Sequence, residues 1–126
     1  MYTPPFTITD EILQLVSEIS EHIGALNVML GERKPSPMLR KENQIKTIHS
    51  SLAIEHNSLS LQQVTDVIDG KHVLGAPNEI QEVKNALQAY QLMQQLDAFE
   101  EADLLRAHGL MMADLVDGAG KYRQAG

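Results

Sequence analysis

Apolar residues recur along most of this chain at the three- and four-residue spacing of a helix face, with polar residues filling the positions between them. Ile12, Val16, Ile19, Ile23, Leu26 and Leu30 make the first such stripe. Thr7 precedes it with Asp10 three residues on, which predicts a capped helix start, and Gly31 marks its end. A loop runs to Pro37, with Ser36 and Pro37 suited to the N-cap and first turn of a second helix that turns Ile45, Ile48, Leu52 and Ile54 inward. Ser60 and Gln63 form a capping box for a short helix bearing Leu61, Val64, Val67 and Ile68, and Gly70 closes it. Gly75 and Pro77 then forbid continuation. From Asn78 a longer stripe carries Ile80, Val83, Leu87, Tyr90 and Met93. The last stripe holds Leu104, Leu105, His108, Met111, Met112 and Leu115, behind Glu100, Glu101 and Asp103 in a first turn where the helix dipole favours acids.

This pattern predicts an all-α fold, a small bundle of about five helices near residues 8–30, 38–56, 60–69, 78–96 and 99–116, and no strand. The glycine-rich tail Gly118–Gly126 reads as a linker. At 126 residues the chain suits one compact domain, with residues 1–40 a helical extension and 41–126 the main body.

Composition narrows the chemistry. The absence of cysteine excludes disulfides, thiolate zinc sites and cysteine nucleophiles. A net charge of −7 argues against a nucleic-acid partner, although Arg33, Lys34, Arg40, Lys41 and Lys46 form a local basic run. No apolar run reaches the length of a membrane span and the N-terminus lacks the regions of a signal peptide, so the expectation is a cytoplasmic chain with no membrane partner. The five histidines show no metal-binding spacing; His108, on an apolar face, is expected to be a core histidine bonded to a backbone carbonyl. Gly118-x-Gly120 is too short for a phosphate fingerprint, and Met111-Met112 reads as core or interface filler.

One stretch is more informative. Ser51 and Glu55 lie four apart in Thr47-Ile48-His49-Ser50-Ser51-Leu52-Ala53-Ile54-Glu55-His56-Asn57-Ser58-Leu59, on one face of a helix that ends near Asn57. A carboxylate in a last helical turn opposes the exposed carbonyls at a cost of roughly 0.3–1 kcal/mol and favours a cationic partner. From the residues alone two readings stand: a solvated surface glutamate, or an acid placed for a cation.

Ser51-Leu52-Ala53-Ile54-Glu55 resembles the inhibitory-helix motif [S/T]xxxE[G/N] of Fic family proteins. The resemblance runs on through Leu59 to Val64, Ile68 to Lys71, Gly75 to Pro77, Glu82 to Tyr90, Leu104 to His108 and Ala119 to Arg123, covering about Ile45 to the C-terminus. Position 56 departs from it, being histidine where the family has glycine or asparagine; Asn57 is then expected to adopt the left-handed turn that ends the helix. The family's catalytic motif, HPFxxGNGRxxR, occurs nowhere in the sequence, so no residue here is assigned a catalytic role.

The resemblance implies the regulatory N-terminal part of a protein adenylyltransferase, whose core moves AMP from ATP onto protein hydroxyls with magnesium and a histidine base. ATP and magnesium then belong to the core, and this chain holds no cofactor or metal. The resemblance gives Glu55 the role of competing with the ATP γ-phosphate for an arginine of the core, and Ser51 that of fixing the helix against the anion-binding loop. The partner is a Fic catalytic core, in the same chain or, if this is a free antitoxin-like module, in another. Without further chain to cover it, the stripe from Leu104 to Leu115 is also expected to seek a second copy.

Overall fold

The computed structural model describes residues 4–31 and 36–124, and no strand occurs among them. Five helices follow in order: α1 Asp10–Leu30, α2 Pro37–Ile54, α3 Leu61–Ile68, α4 Pro77–Leu92 with a 3₁₀ turn at Met93–Gln95, and α5 Glu101–Met111. The all-α fold and the helix count are those the sequence pattern predicts. The chain divides into two units, Met1–Ser36 and Pro37–Gly126.

In the first unit α1 is capped by Thr9 rather than Thr7: the Ile12 amide donates to Thr9 Oγ1 at 3.3 Å. Asp10 and Glu11 thereby fall in the first turn and meet the positive end of the dipole directly. Gly31 ends the helix with φ of 51°, its amide donating to the Asn27 carbonyl. Residues 32–35, which include Arg33 and Lys34 of the basic run and part of the expected loop, lie outside the described residues.

In the second unit α2, α3 and α4 enclose one core of Ile45, Ile48, Leu52, Leu59, Val64, Val67, Val83 and Ala86, with Ile80, Leu87, Tyr90 and Met111 packed at its margin. The capping box of α3 forms as read, Ser60 Oγ accepting from the Gln63 amide at 3.2 Å and Gln63 Oε1 from the Ser60 amide at 2.9 Å. Gln63 Nε2 also donates to the Leu74 carbonyl at 2.9 Å, which ties the loop before α4 to the start of α3. In that loop Gly75 lies so close to the core that a Cβ on it would stand 2.8 Å from Leu59 Cδ2. Lys71 Nζ meets Asp66 at 2.7 Å, and its hydrogen bond holds the Asp66 carboxyl below the usual carboxylate range. Pro77 opens α4 at its first turn, where its missing N–H has no intrahelical partner to lose.

The edges differ from the sequence pattern. Ile54, expected inward, is the last residue of α2 and is 76% exposed, while Leu61 and Met93 are also largely open. Helix α5 stops at Met111 rather than near residue 116. The helix ends there because Asn85, in α4, donates to the carbonyls of Met111 at 3.1 Å and Ala113 at 2.7 Å, and Asp114 takes a left-handed φ of 60°. The expected linker is also partly folded. Gly120 returns to α5, its amide donating to His108 Nδ1 at 2.9 Å, and a Cβ on Gly120 would stand 3.0 Å from the Leu105 carbonyl oxygen. His108 is therefore an exposed acceptor of a loop amide and not a core histidine bonded to a carbonyl.

Candidate regulatory site

Glu55 follows directly on the last residue of α2, and the chain around it turns in a Schellman arrangement. The His56 amide donates to the Ala53 carbonyl at 3.1 Å and the Asn57 amide to the Leu52 carbonyl at 3.0 Å. His56 itself has φ of 68°, so histidine, and not Asn57, occupies the left-handed position that ends the helix. This places a β-carbon where glycine sits without strain, at a cost of about 1–2 kcal/mol. The Glu55 amide bonds the Leu52 carbonyl at 3.0 Å, tightening the final turn and directing the side chain outward.

Asn57 is freed for a different task. Its Nδ2 donates to the Glu79 carbonyl at 3.1 Å and to Glu82 Oε2 at 2.7 Å, while its Oδ1 accepts the Leu59 amide at 3.1 Å. Beside it the Ser58 amide and hydroxyl donate to the two Glu79 carboxylate oxygens at 2.6 and 3.1 Å. Glu79 lies in the first turn of α4, where the dipole favours an acid. The turn after α2 is thus pinned to the start of α4 by side chains from both segments.

A cleft of about 400 Å³ opens beside this junction, lined by Leu52, Glu55, Glu82, Met111, Met112 and Leu115. It joins the acid of the motif to the apolar stripe of α5 and the turn that follows it. Glu82 is half-buried and already shared with Asn57, whereas the Glu55 carboxylate has no hydrogen-bond or ion-pair partner among the described residues. A cationic side chain entering here would find an apolar floor for its methylene stem and a carboxylate for its head. Ser51 is exposed one turn back and does not line the cleft. The structure therefore brings Glu55 together with Met111, Met112 and Leu115, and leaves Ser51 outside.

The other candidates disperse. No group of three or more histidines and acids among the described residues is placed to hold a metal ion. Of the basic run, Lys41 is paired with Asp69 at 2.6 Å. No helix of the described residues is long and apolar enough to cross a membrane. The α5 stripe is only partly covered: Leu104 is 60% exposed, and a groove of about 600 Å³ runs between Leu104, Leu105, His108, Met112, Val116 and Tyr122. Sequence reasoning missed Asn57 as a clamp, Asn85 as a closure and Glu82 as a cleft residue. All three act over distances in sequence that local spacing does not reveal.

No protein-family model matches the chain, and no curated protein does. A solved structure does: a Fic family protein from Desulfovibrio desulfuricans G20 is 56% identical over 97% of this chain, with a TM-score of 0.90. The chain spans 37% of that protein's length. The fold is the one found in that part of a Fic family protein.

Proposed function

We propose that this chain is the regulatory segment of a Fic-type protein adenylyltransferase, and that Glu55 restrains the catalytic core by competing with the ATP γ-phosphate for one of the core's arginines. The observation that supports the reading is the unpartnered Glu55 carboxylate at the C-terminal end of α2, facing a cleft with an apolar floor. A guanidinium fork binds a carboxylate or a phosphate in the same bidentate way, so one arginine does not serve both fully. An arginine also answers the carbonyl end of the helix, which the carboxylate alone opposes. The high identity to a Fic family protein through α3, α4 and α5 as well as α2 supports a segment acting within its own chain over a free antitoxin-like module. ATP and magnesium belong to the catalytic core; this sequence holds neither the glycine-rich anion nest nor the paired arginines that would bind them. Ser51, exposed beside the site, is assigned a supporting contact with that core.

The test is nucleotide transfer by a protein that joins this segment to its catalytic core, at fixed labelled ATP and magnesium. Glu55→Gly should raise auto-modification at least about tenfold, and Glu55→Asp, with a shorter reach, should raise it by less. Equal rates for wild type and Glu55→Gly, with ATP bound equally well, would reduce position 55 to a helix end. The isolated chain should transfer no label.

A further inference from the structure

The loop that follows α5 is fastened at two points by side chains of different chemistry. At its near end the Asn85 side-chain amide donates to the Ala113 carbonyl at 2.7 Å. At its far end the Gly120 amide donates to His108 Nδ1 at 2.9 Å, and among the described residues this is the one hydrogen bond that joins residues 117–124 to the rest of the chain. The approach is close: a Cβ on Gly120 would stand 3.2 Å from Gly109 Cα, and one on Gly109 would stand 3.4 Å from Gly120 Cα. Asp114, Gly118 and Gly120 turn the chain with positive φ of 60°, 82° and 76°. The return is therefore made by turns and not by a ladder of backbone bonds that would hold it without the ring.

A backbone amide only donates, so the ring atom that it meets carries no proton, and the imidazole is neutral with its hydrogen on Nε2. A proton arriving on Nδ1 turns that acceptor into a donor and sets N–H against N–H, which abolishes the bond. Imidazoles exchange this proton between about pH 5 and 8, whereas carboxylates, phenols, ammonium and guanidinium groups ordinarily do so outside that range. The ring stands in the groove of about 600 Å³ beside α5, whose other charged or titratable members are Asp117, Lys121, Tyr122 and Arg123, all on the loop. No residue of α4, the helix packed against α5, lines this groove, and neither do Glu101, Asp103 and Arg106 of α5 itself. A cationic ring would face Lys121 and Arg123 with Asp117 alone to offset them, so like charge would add to the lost bond. The tie at Asn85 has no such second state, because a carboxamide does not titrate in this range.

We infer that His108 is a proton-sensitive latch: the far end of the loop, residues 117–121, is held against α5 while the imidazole is neutral and is released when it is protonated, and the near end stays tied to Asn85. Release uncovers the groove between Leu104, Leu105, Met112 and Val116. The latch does not depend on Glu55.

Amide hydrogen exchange of the whole chain, read residue by residue by NMR at about pH 7.5 and about pH 5.5 and expressed as protection relative to an unstructured chain, tests the inference. Protection of the Gly120 amide should fall about three- to tenfold on the acid side, while the amides of Val64, Val83 and Met112 keep theirs. His108→Asn places an oxygen where Nδ1 stands and takes up no proton in this range, so Gly120 should be protected at both pH values. His108→Ala should leave it unprotected at both. Nitrogen shifts of the wild-type ring give a second reading, and at the higher pH they should place the proton on Nε2. Equal Gly120 protection at the two pH values in the wild type would overturn the inference. So would a His108→Asn chain that follows the wild-type change, a ring proton on Nδ1 at the higher pH, or an acid loss of protection shared equally by Val64 and Val83.

Discussion

The side-chain amide of Asn85 closes the end of a helix on which it does not lie: its Nδ2 stands 2.7 Å from the carbonyl oxygen of Ala113, just past the end of α5. The same nitrogen reaches the Met111 carbonyl, and Asn85 Oδ1 accepts from Gln81 Nε2 at 2.9 Å, so a side chain only 1% exposed is satisfied on both sides. Asn85→Leu keeps the branched shape, with bulkier methyl groups, and leaves two carbonyls without their donor. It should destabilise the unit from Pro37 onward by about 2–3 kcal/mol in urea unfolding, with the amides after Met111 losing hydrogen-exchange protection first.

Replacing Asn57 tests the clamp between α2 and α4. Asn57→Ala removes three hydrogen bonds, those to the Glu79 carbonyl and Glu82 and the one from Leu59. The expected loss is about 1–3 kcal/mol in chemical denaturation. In a protein that includes the catalytic core, the same change should raise nucleotide transfer by less than Glu55→Gly does, because it loosens the position of the acid without deleting it.

His56→Gly should do the reverse to stability. At φ of 68° a histidine is strained, and glycine adopts that conformation freely. Part of the gain is returned as backbone entropy in the unfolded chain, which leaves a net stabilisation of roughly 0.5–1 kcal/mol. His56→Val, with a branched β-carbon at the same φ, should cost more than 1 kcal/mol, roughly. Thermal unfolding of the three chains side by side would read both effects, and an unchanged or lowered midpoint for His56→Gly would contradict the strain.

A methyl group at Gly120 should detach the returning loop. With φ of 76° and a would-be Cβ 3.0 Å from the Leu105 oxygen and 3.2 Å from Gly109 Cα, Gly120→Ala meets backbone on two sides. The bond from the Gly120 amide to His108 should be lost, at about 1–2 kcal/mol, and limited proteolysis should cut near Lys121 and Arg123 sooner than in the wild type. Gly118→Ala, with open space at its Cβ but a similarly positive φ, serves as the measure of strain without collision.

These residues also show what the sequence makes legible. The Ser60–Gln63 box, the Pro37 start and the core positions Ile45, Ile48, Leu52, Val64 and Val83 depend on neighbours within a turn or two, and pattern reading finds them; Pro77 reads only as a breaker, one residue before the expected start, and is in fact the first residue of α4. The spacing of Asp10 three residues after Thr7 points to Thr7 as the cap, whereas the structure uses Thr9, whose hydroxyl accepts from the Ile12 amide and which puts Asp10 in the first turn. The end of α5 could not be read, since the donor that stops it is 26 residues away along the chain. The apolar neighbours of His108 point to a core position, but α5 presents that side to a returning loop. Of the site, the four-residue spacing of Ser51 and Glu55 was visible, and the clamp and cleft that surround Glu55 were not.

The turn after α2 separates two jobs that many sites assign to one residue. Backbone bonds from His56 and Asn57 and the side chain of Asn57 determine where position 55 stands, while the carboxylate of Glu55 supports none of that architecture. Position 55 is therefore a free variable of the fold. Side chains of different length or charge can be exchanged there at little expense in folding, so whatever is read from that point can be strengthened, weakened or abolished by a single substitution, like a dial mounted on a rigid panel.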